Sequence, residues 1–274
     1  MASIMRCRNV RGCESASSLD VTEQATETEL LAEARRLIDD ARQRGVVLRL
    51  LGGLAIQLLT PELPPRTRSG QDLDFATVKA SRKPMTELLE GQGYVGDRNF
   101  NALYGDKQLY FTNSQTGLAI DVMVDRLHMC HTVHFADRAE AMPYTLAPTD
   151  LLLSKLQIVE LNPKDVDDIL RLLISFDLVD SGRHDAIELS VIRDLVGDDW
   201  GWFKTISLNL ERISATLQDQ DVQAPAGGRL DPAAAVETLQ RTLVQAPKSR
   251  RWRMRDKIGE RKRWYELPEE TAHH

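Results

Sequence analysis

The chain has 274 residues, of which 42% are hydrophobic and 28% charged, and its formal net charge is −6. This composition is ordinary for a globular protein and allows one large or two small domains. The sequence contains no apolar run of 18 residues and no apolar stretch typical of a secretory signal near Met1, so we expect a cytoplasmic protein without a membrane span. Three scattered cysteines, Cys7, Cys13 and Cys130, argue against a disulfide framework.

The first half of the chain predicts alternating helices and strands. Residues 1–25 are predicted to form a flexible tail, and Thr26 with Glu29 has the spacing of a capping box that opens a helix ending near Gly45. The predicted elements that follow are a buried strand at 46–51, a helix at 53–59, a strand at 72–78, a helix at 81–90 and a hairpin of strands at 107–112 and 118–125. This order predicts an α/β (α+β) fold with a small mixed sheet.

From Pro148 onward the pattern predicts helices only. The predicted helices cover residues 150–161, 163–176, 186–196, 200–217 and 232–245, and Asn162 is the expected N-cap of the second. We therefore predict five units: the tail 1–25, a core domain at 26–147, a helical domain at 148–217, a linker at 218–230 and a helical, basic C-terminal segment at 231–274.

Three acidic residues lie on predicted strands. Asp72 and Asp74 are two positions apart, so both side chains leave the same face of the strand while Leu73 faces the core. Asp121 stands between Ile120 and Val122 on a second strand. If the two strands are neighbours, about 5 Å apart, the carboxylates converge, and their repulsion is relieved when divalent cations bind.

Two glycines, Gly52 and Gly53, stand between a predicted apolar strand and the helix that follows. A helix N-terminus offers backbone N–H groups and the positive end of the helix dipole, which suit a phosphate group. Arg68 adds a cation four residues before Asp72. An isolated Asp-x-Asp is more often a solvated strand end, but here it occurs together with the glycines and a third acid.

These residues together resemble the signature of the DNA polymerase β-like nucleotidyltransferase superfamily, and most closely its minimal and abortive-infection-type branch. The helix that carries Lys155, followed by Asp165 and Asp168, is similar to the helical segment after the core in that branch. The resemblance covers residues 45–175. Two positions depart from the pattern, because Gly53 stands where many members have Ser and Gly70 where Thr is common.

The resemblance implies a metal-dependent enzyme that transfers a nucleoside monophosphate from an NTP to a hydroxyl group and releases pyrophosphate. It implies that Asp72, Asp74 and Asp121 hold two Mg²⁺ ions, or Mn²⁺, and that Asp121 helps to deprotonate the acceptor. Nucleotide binding is then expected from the following residues: Gly52, Gly53, Arg68 and Lys155. The acceptor stays open among an RNA or tRNA end, a protein hydroxyl in a toxin–antitoxin pair, and a small molecule such as an aminoglycoside.

Two other functions remain as alternatives. A catalytically degenerate module of the same fold would bind nucleotide or RNA without turnover, although all three acids are present. A nucleotide-sugar glycosyltransferase also uses Asp-x-Asp, but that fold normally places about a hundred residues of nucleotide-binding α/β structure before the motif. The sequence lacks the Gly-x-x-x-x-Gly-Lys-Ser/Thr motif of P-loop enzymes.

Some candidate residues have a simpler structural explanation. Arg68 is expected to be solvated in its loop if it binds no phosphate, and Lys155 to extend its ammonium group from an apolar helix face to water. Asp125 lies on the same strand face as Asp121 and would assist it, but a strand-end acid beside Arg126 is the favoured interpretation.

Four residues of metal-ligating type lie close together in the sequence. They are His128, Cys130, His131 and His134. Their spacing lacks the separated pairs of structural zinc sites, so we favour packing, or contact with a nucleotide base, over zinc.

The segment 248–264 is strongly basic. It carries nine Lys or Arg residues with Trp252 and Trp264, opposed only by Asp256 and Glu260. Basic residues with interleaved aromatic rings suit nucleic acid. The alternative of equal weight is a segment that packs on the protein's own acidic body.

Overall fold

The structure is a computed structural model that describes residues 26–66, 72–219 and 225–267. The predicted N-terminal tail lies outside these residues, and so do Arg68 and Gly70. None of the described helices is both long and apolar enough to cross a membrane.

Helices and strands alternate through the first half of the chain, as predicted, but the structure adds four elements that the sequence pattern did not predict: Tyr94–Gly96, Arg98–Tyr104, Arg126–His128 and Thr132–His134. The elements are α1 (Glu27–Gln43), β1 (Arg49–Leu50), α2 (Gly52–Leu59), β2 (Asp72–Thr77), α3 (Arg82–Gly91), β3 (Tyr94–Gly96), α4 (Arg98–Tyr104), β4 (Gln108–Asn113) and β5 (Ala119–Val124). The elements after them are β6 (Arg126–His128), β7 (Thr132–His134), α5 (Pro148–Leu156), α6 (Pro163–Ser175), β8 (Leu178–Val179), β9 (Ile187–Glu188), α7 (Leu189–Asp198), α8 (Trp200–Gln218), α9 (Pro232–Gln245) and α10 (Arg250–Ile258). The predicted α/β core with a mixed sheet, followed by a helical region, is confirmed. The prediction of helices only after Pro148 is wrong, because β8 and β9 form a parallel pair. Since Ile187 and Glu188 belong to that pair, the helix expected at 186–196 begins at Leu189.

The main sheet has five strands in the order β1-β2-β5-β4-β3. Strands β2 and β5 run parallel, and the other neighbours are antiparallel. One face of the sheet is buried through the side chains of Leu73, Phe75, Ile120 and Val122. Because side chains alternate along a strand, the residues between these four point to the opposite face. That face carries the three predicted acids.

Two predicted elements are shorter in the structure than in the sequence pattern. The strand expected at 46–51 is reduced to Arg49–Leu50, because the backbone of Val47 bonds instead to side-chain hydroxyls, its N–H to Ser81 and its carbonyl to Thr77. Helix α5 ends at Leu156 rather than at residue 161, because the amide of Asn209 donates to the carbonyl oxygen of Leu156 at 3.0 Å. Both differences come from partners distant in sequence.

The helix starts follow the predicted capping chemistry. Thr26 and Glu29 form the capping box of α1, with Glu29 accepting from the Thr26 backbone N–H at 2.7 Å. At α6, Asn162 Oδ1 accepts from the N–H groups of Lys164 and Asp165 at 2.9 and 3.0 Å. The capped start of α6 sets the position of the acidic side chains on its first turns.

In the part of the chain that the structure describes, one cluster of buried apolar side chains runs from Leu30 of α1 to Ala246 after α9. It joins the buried face of the sheet to helices of the C-terminal half. The predicted division of the chain into a core domain, a helical domain and a linker stays a prediction.

We predict that Asn162→Ala destabilises the protein by about 1 kcal/mol, because two backbone N–H groups lose the side-chain acceptor that caps α6. Chemical denaturation monitored by circular dichroism measures the change. Lys164→Ala is the matched control, since that exposed residue takes part in the cap only through its backbone. Equal stability of the Asn162 variant and wild type would contradict the prediction.

Candidate active site

The parallel pairing of β2 and β5 places acidic residues side by side. Asp74 is directly opposite Asp121 in the register, and Asp72 is opposite Ala119. Adjacent strands lie about 4.8 Å apart, so the backbones of Asp74 and Asp121 are close neighbours. Asp72 shares the face of Asp74 because the two are separated by one residue of the same strand, the buried Leu73. The three predicted acids therefore occupy one patch of one sheet face.

Gly52 brings the start of α2 against this patch. Its φ angle is +69°, a left-handed conformation that favours glycine. A Cβ atom at this position would also overlap the carboxylate of Asp74. The Leu51 N–H donates to the Asp74 carbonyl oxygen at 2.8 Å, which ties the turn to β2. Glycine is thus required at position 52 both by the backbone and by the neighbouring acid.

The N-terminus of α2 carries no acidic side chain of its own. Its N-cap residue is Leu51, whose apolar side chain makes no capping hydrogen bond, and the first turn holds no Asp or Glu. The first N–H groups of a helix have no partner within the helix, and the helix dipole makes this end positive. The start of α2 next to Asp74 is therefore suited to an anion such as phosphate.

Two polar residues of β4 face the acids, and sequence reasoning did not single them out. Gln108 Nε2 donates to Asp121 Oδ1 at 2.6 Å. Tyr110 is directly opposite Asp121 in the antiparallel register. Burial raises the pKa of Tyr110, and the negative charges of Asp121 and Asp72 raise it further, so its phenol keeps its proton at neutral pH. The alternation of polar and apolar residues in the predicted hairpin was the signal that could have identified both.

Lys155 lies in an ion-pair network rather than extending to water. Its Nζ is 2.9 Å from Asp168 Oδ2 and 3.2 Å from Asp165 Oδ1, and its side chain is 15% exposed. Arg66, which sequence reasoning did not select, donates from Nη2 to Asp168 Oδ2 at 2.8 Å. Arg68, the arginine that was selected, lies outside the described residues.

Asp125 lies directly after β5, and its carboxylate bonds to the backbone there rather than assisting Asp121. Its φ angle is +62°, and its Oδ1 accepts the backbone N–H of Lys79 at 2.8 Å. This bond caps the short helical turn after β2. The geometry matches the interpretation of Asp125 as a strand-end acid.

The histidines near β6 and β7 point to different partners. His128 bonds to Thr132 at 2.7 Å and to Glu266 at 2.8 Å, both on the exposed surface. His131 is buried, bonds to Thr205 at 2.8 Å, and stacks on Trp202 with ring centroids 4.8 Å apart. These contacts describe packing, the interpretation that the sequence favoured over zinc.

The basic C-terminal segment packs on α7 and α8. Asp256 accepts from Trp200 Nε1 at 2.7 Å, and Arg255 lies 4.6 Å from the centre of the Trp200 ring. Farther along, Trp264 donates to Thr205 at 3.0 Å, and the Glu266 N–H donates to the Cys130 carbonyl oxygen at 2.9 Å. The structure thus has the packing arrangement that the sequence left as one of two alternatives. Contact with nucleic acid through the outward cations stays a prediction.

Comparison with solved structures finds proteins to which this chain is similar over part or most of its length. The antibiotic-resistance factor ANT(2'')-Ia is 12% identical, covers 54% of this chain and 84% of its own, and has a TM-score of 0.39. The lincosamide antibiotic adenylyltransferase LnuA, solved with lincomycin bound, is 17% identical over 55% of this chain and 98% of its own, with a TM-score of 0.38. An antigenic nucleotidyltransferase-like protein from Paracoccidioides brasiliensis is 14% identical over 81% and 95% of the two chains, also with a TM-score of 0.38. No protein-family model and no curated protein matches the sequence.

We predict that the folded protein loses stability in mild acid because His131 is buried. Burial lowers its pKa from 6.5 to about 4. Between these pH values the unfolded chain binds a proton that the folded chain does not, so the free energy of unfolding falls as the pH falls from 6.5 to 4, by about 3 kcal/mol from this residue. Urea denaturation of wild type and His131→Asn across this range measures the effect. The variant is expected to show the flatter pH dependence, and parallel curves would exclude His131 as the cause.

Proposed function

We propose that the protein is a metal-dependent nucleotidyltransferase that moves a nucleoside monophosphate from an NTP to a hydroxyl acceptor. The observation that carries this proposal is the register that sets Asp74 beside Asp121, with Asp72 on the same face and the uncapped start of α2 against Asp74. Carboxylates for a cation and helix N–H groups for a phosphate then meet at one place. Nucleotide chemistry needs both.

The residues fit a hard divalent cation. Carboxylate oxygen is the donor that Mg²⁺ and Mn²⁺ prefer, and Asp72, Asp74 and Asp121 offer it from one face. Within residues 26–66, 72–219 and 225–267, no three acidic, His or Cys side chains are arranged to hold an ion by themselves. Proteins usually bind Mg²⁺ through one or two carboxylates together with the phosphate oxygens of a substrate, so a bound NTP would complete the coordination that these acids begin. Bound ions would neutralise the charge that develops on the transferred phosphoryl group.

The protein's own residues support an in-line displacement. The N–H groups at the start of α2 hold the β and γ phosphates, while the acceptor oxygen forms a bond to the α phosphorus and the bond to pyrophosphate breaks. Asp121 takes the proton of the acceptor hydroxyl, and the hydrogen bond from Gln108 fixes the orientation of its carboxylate. Tyr110 keeps its proton and remains a hydrogen-bond donor beside the acids.

The proposed acceptor is an RNA or tRNA end, a protein hydroxyl in a toxin–antitoxin pair, or a small molecule such as an aminoglycoside. Incubating the protein with each α-³²P-labelled NTP and Mg²⁺, in the presence of total RNA, lysate protein or aminoglycosides, identifies the class that takes up label. Absence of labelled product in every fraction would argue against the proposed function.

We expect Asp72→Asn, Asp74→Asn or Asp121→Asn to reduce label transfer by roughly a hundredfold or more, the scale on which one transition-state stabilising group acts. Their melting temperatures without Mg²⁺ should stay level or rise, because removing one charge relieves repulsion among the acids. Asp125→Asn is the matched control, since it replaces the acid directly after β5 and Asn tolerates the positive φ angle. Wild-type turnover in the Asp74 variant would exclude the proposed site.

We expect Mg²⁺ and NTP together to raise the melting temperature by more than the sum of their separate effects. The carboxylates and the triphosphate share the ion, so each completes the other's binding site. Differential scanning fluorimetry with MgCl₂, NTP or both measures the shifts. The Asp74→Asn variant should lose the extra stabilisation, and purely additive shifts in wild type would contradict a shared site.

A further inference from the structure

Arg66 occupies the space where a side chain at Gly53 would lie. A Cβ atom built on Gly53, the second residue of α2, would overlap the Arg66 guanidinium. The φ angle of Gly53 is not in the left-handed region, so the backbone itself does not require glycine there. Glycine at position 53 therefore makes room for the arginine.

The Arg66 guanidinium is held firmly at this place. Its side chain is only 5% exposed, and Nη2 donates to Oδ2 of the fully buried Asp168 at 2.8 Å. Nη2 also lies 2.6 Å from Asp168 Oδ1, an ion-pair contact without hydrogen-bond geometry. Lys155 Nζ is 2.9 Å from the same carboxylate, so one acid positions two cations. Asp165 pairs with Lys155 as well, and the four charges balance. The cluster would thus recognise an anion through fixed donor positions rather than through excess charge.

The backbone before Arg66 is anchored independently. Arg171 donates from Nη1 to the Pro64 carbonyl oxygen at 2.8 Å and from Nε to Asp167 at 2.7 Å. Arg171 is 3% exposed, so this anchor is itself buried. The loop that carries Arg66 is therefore placed on α6 by contacts that do not involve the Arg66 side chain.

The Nε donor of Arg66 is buried and, among the described residues, has no hydrogen-bond partner. A buried donor without a partner costs free energy, and such groups commonly mark a functional site. Here the donor belongs to a guanidinium at the start of a helix whose N–H groups and dipole favour an anion.

We infer that Arg66 is a phosphate-binding residue at the N-terminus of α2, and that Gly53 is present because it leaves space for the guanidinium. A planar guanidinium beside helix N–H groups is suited to the β and γ phosphates of a nucleoside triphosphate. This inference rests on the proposed function and adds to it the residue that distinguishes triphosphates from monophosphates.

Equilibrium dialysis with Mg²⁺ and each of ATP, GTP, CTP and UTP, and with the corresponding monophosphates, tests the inference. For Arg66→Met we expect the Kd of the bound triphosphate to rise roughly tenfold to a hundredfold, the scale of one hydrogen bond to a charged group. The Kd of the monophosphate should change less than about threefold, because it carries no β or γ phosphate. Arg66→Lys should fall between, since it keeps the charge but loses the planar fork.

Arg138→Met is the matched control, because Arg138 likewise pairs with a fully buried carboxylate, Asp150, but takes no part in the contacts of Gly53 or of the loop that carries Arg66. It should leave the ratio of triphosphate to monophosphate affinity unchanged.

A second variant tests the inference without removing Arg66. Gly53→Ala displaces the guanidinium and should weaken triphosphate binding. The double variant Gly53→Ala/Arg66→Met should bind no more weakly than Arg66→Met alone. Melting curves identify any variant that does not fold. If the Arg66 variants do not fold, triphosphate binding by Gly53→Ala decides whether the inference holds.

Unchanged triphosphate affinity in the Arg66 and Gly53 variants would overturn the inference, as would equal losses for triphosphate and monophosphate. If the Arg66 variants transfer nucleotide as well as wild type does, the inference is overturned while the proposed function stands. If wild type binds triphosphate and Arg66→Met loses this binding, but wild type labels no acceptor, the result counts against the proposed function alone.

Discussion

The parallel pairing of β2 with β5 is the constraint on which the candidate site depends. It sets Asp74 directly beside Asp121 and leaves Leu73 and Ile120 on the buried face. A shift of one residue in this register would bring apolar side chains to the polar face and acids into the core, at a large cost in free energy. The hydrophobic core therefore enforces an arrangement in which like charges are neighbours. Such an arrangement is stabilised when a cation binds.

A second constraint links the sheet to the helical region. Asp168 on α6 is fully buried, and burial of a single carboxylate without partners would be costly. Arg66 from the loop after α2 and Lys155 from α5 both reach it, so three segments distant in sequence meet at one carboxylate. Replacing a buried ion network by apolar residues is often neutral for stability, so stability alone does not explain why charges are used here. The position of the Arg66 guanidinium beside Gly53, at the start of α2, is the basis of the phosphate-binding role inferred for it.

The C-terminal segment has an energetic role of its own. Trp200 and Trp264 bury aromatic surface against each other with ring centroids 6.0 Å apart, and each ring nitrogen has a hydrogen-bond partner. The carboxylate of Asp256 and the ring contact of Arg255 hold α10 on α8. The sequence analysis gave equal weight to nucleic-acid contact and to internal packing for the aromatic rings of this segment. In the structure, Trp264 contributes to internal packing.

The amino-acid sequence by itself determined which residues share a strand face and which residues cap the starts of α1 and α6. These features are local: side chains alternate every second residue along a strand, and a helix cap depends on residues three apart. Asp72, Asp74, Asp121 and the Gly52 turn could be predicted for this reason. Only the tertiary structure decided that Gln108 orients Asp121 and that Arg66 fills the space at Gly53. It also decided which face of the C-terminal segment is buried. Those contacts join residues far apart in the chain, and the choice among many partners is made by the packing of the whole core rather than by any pattern within a segment.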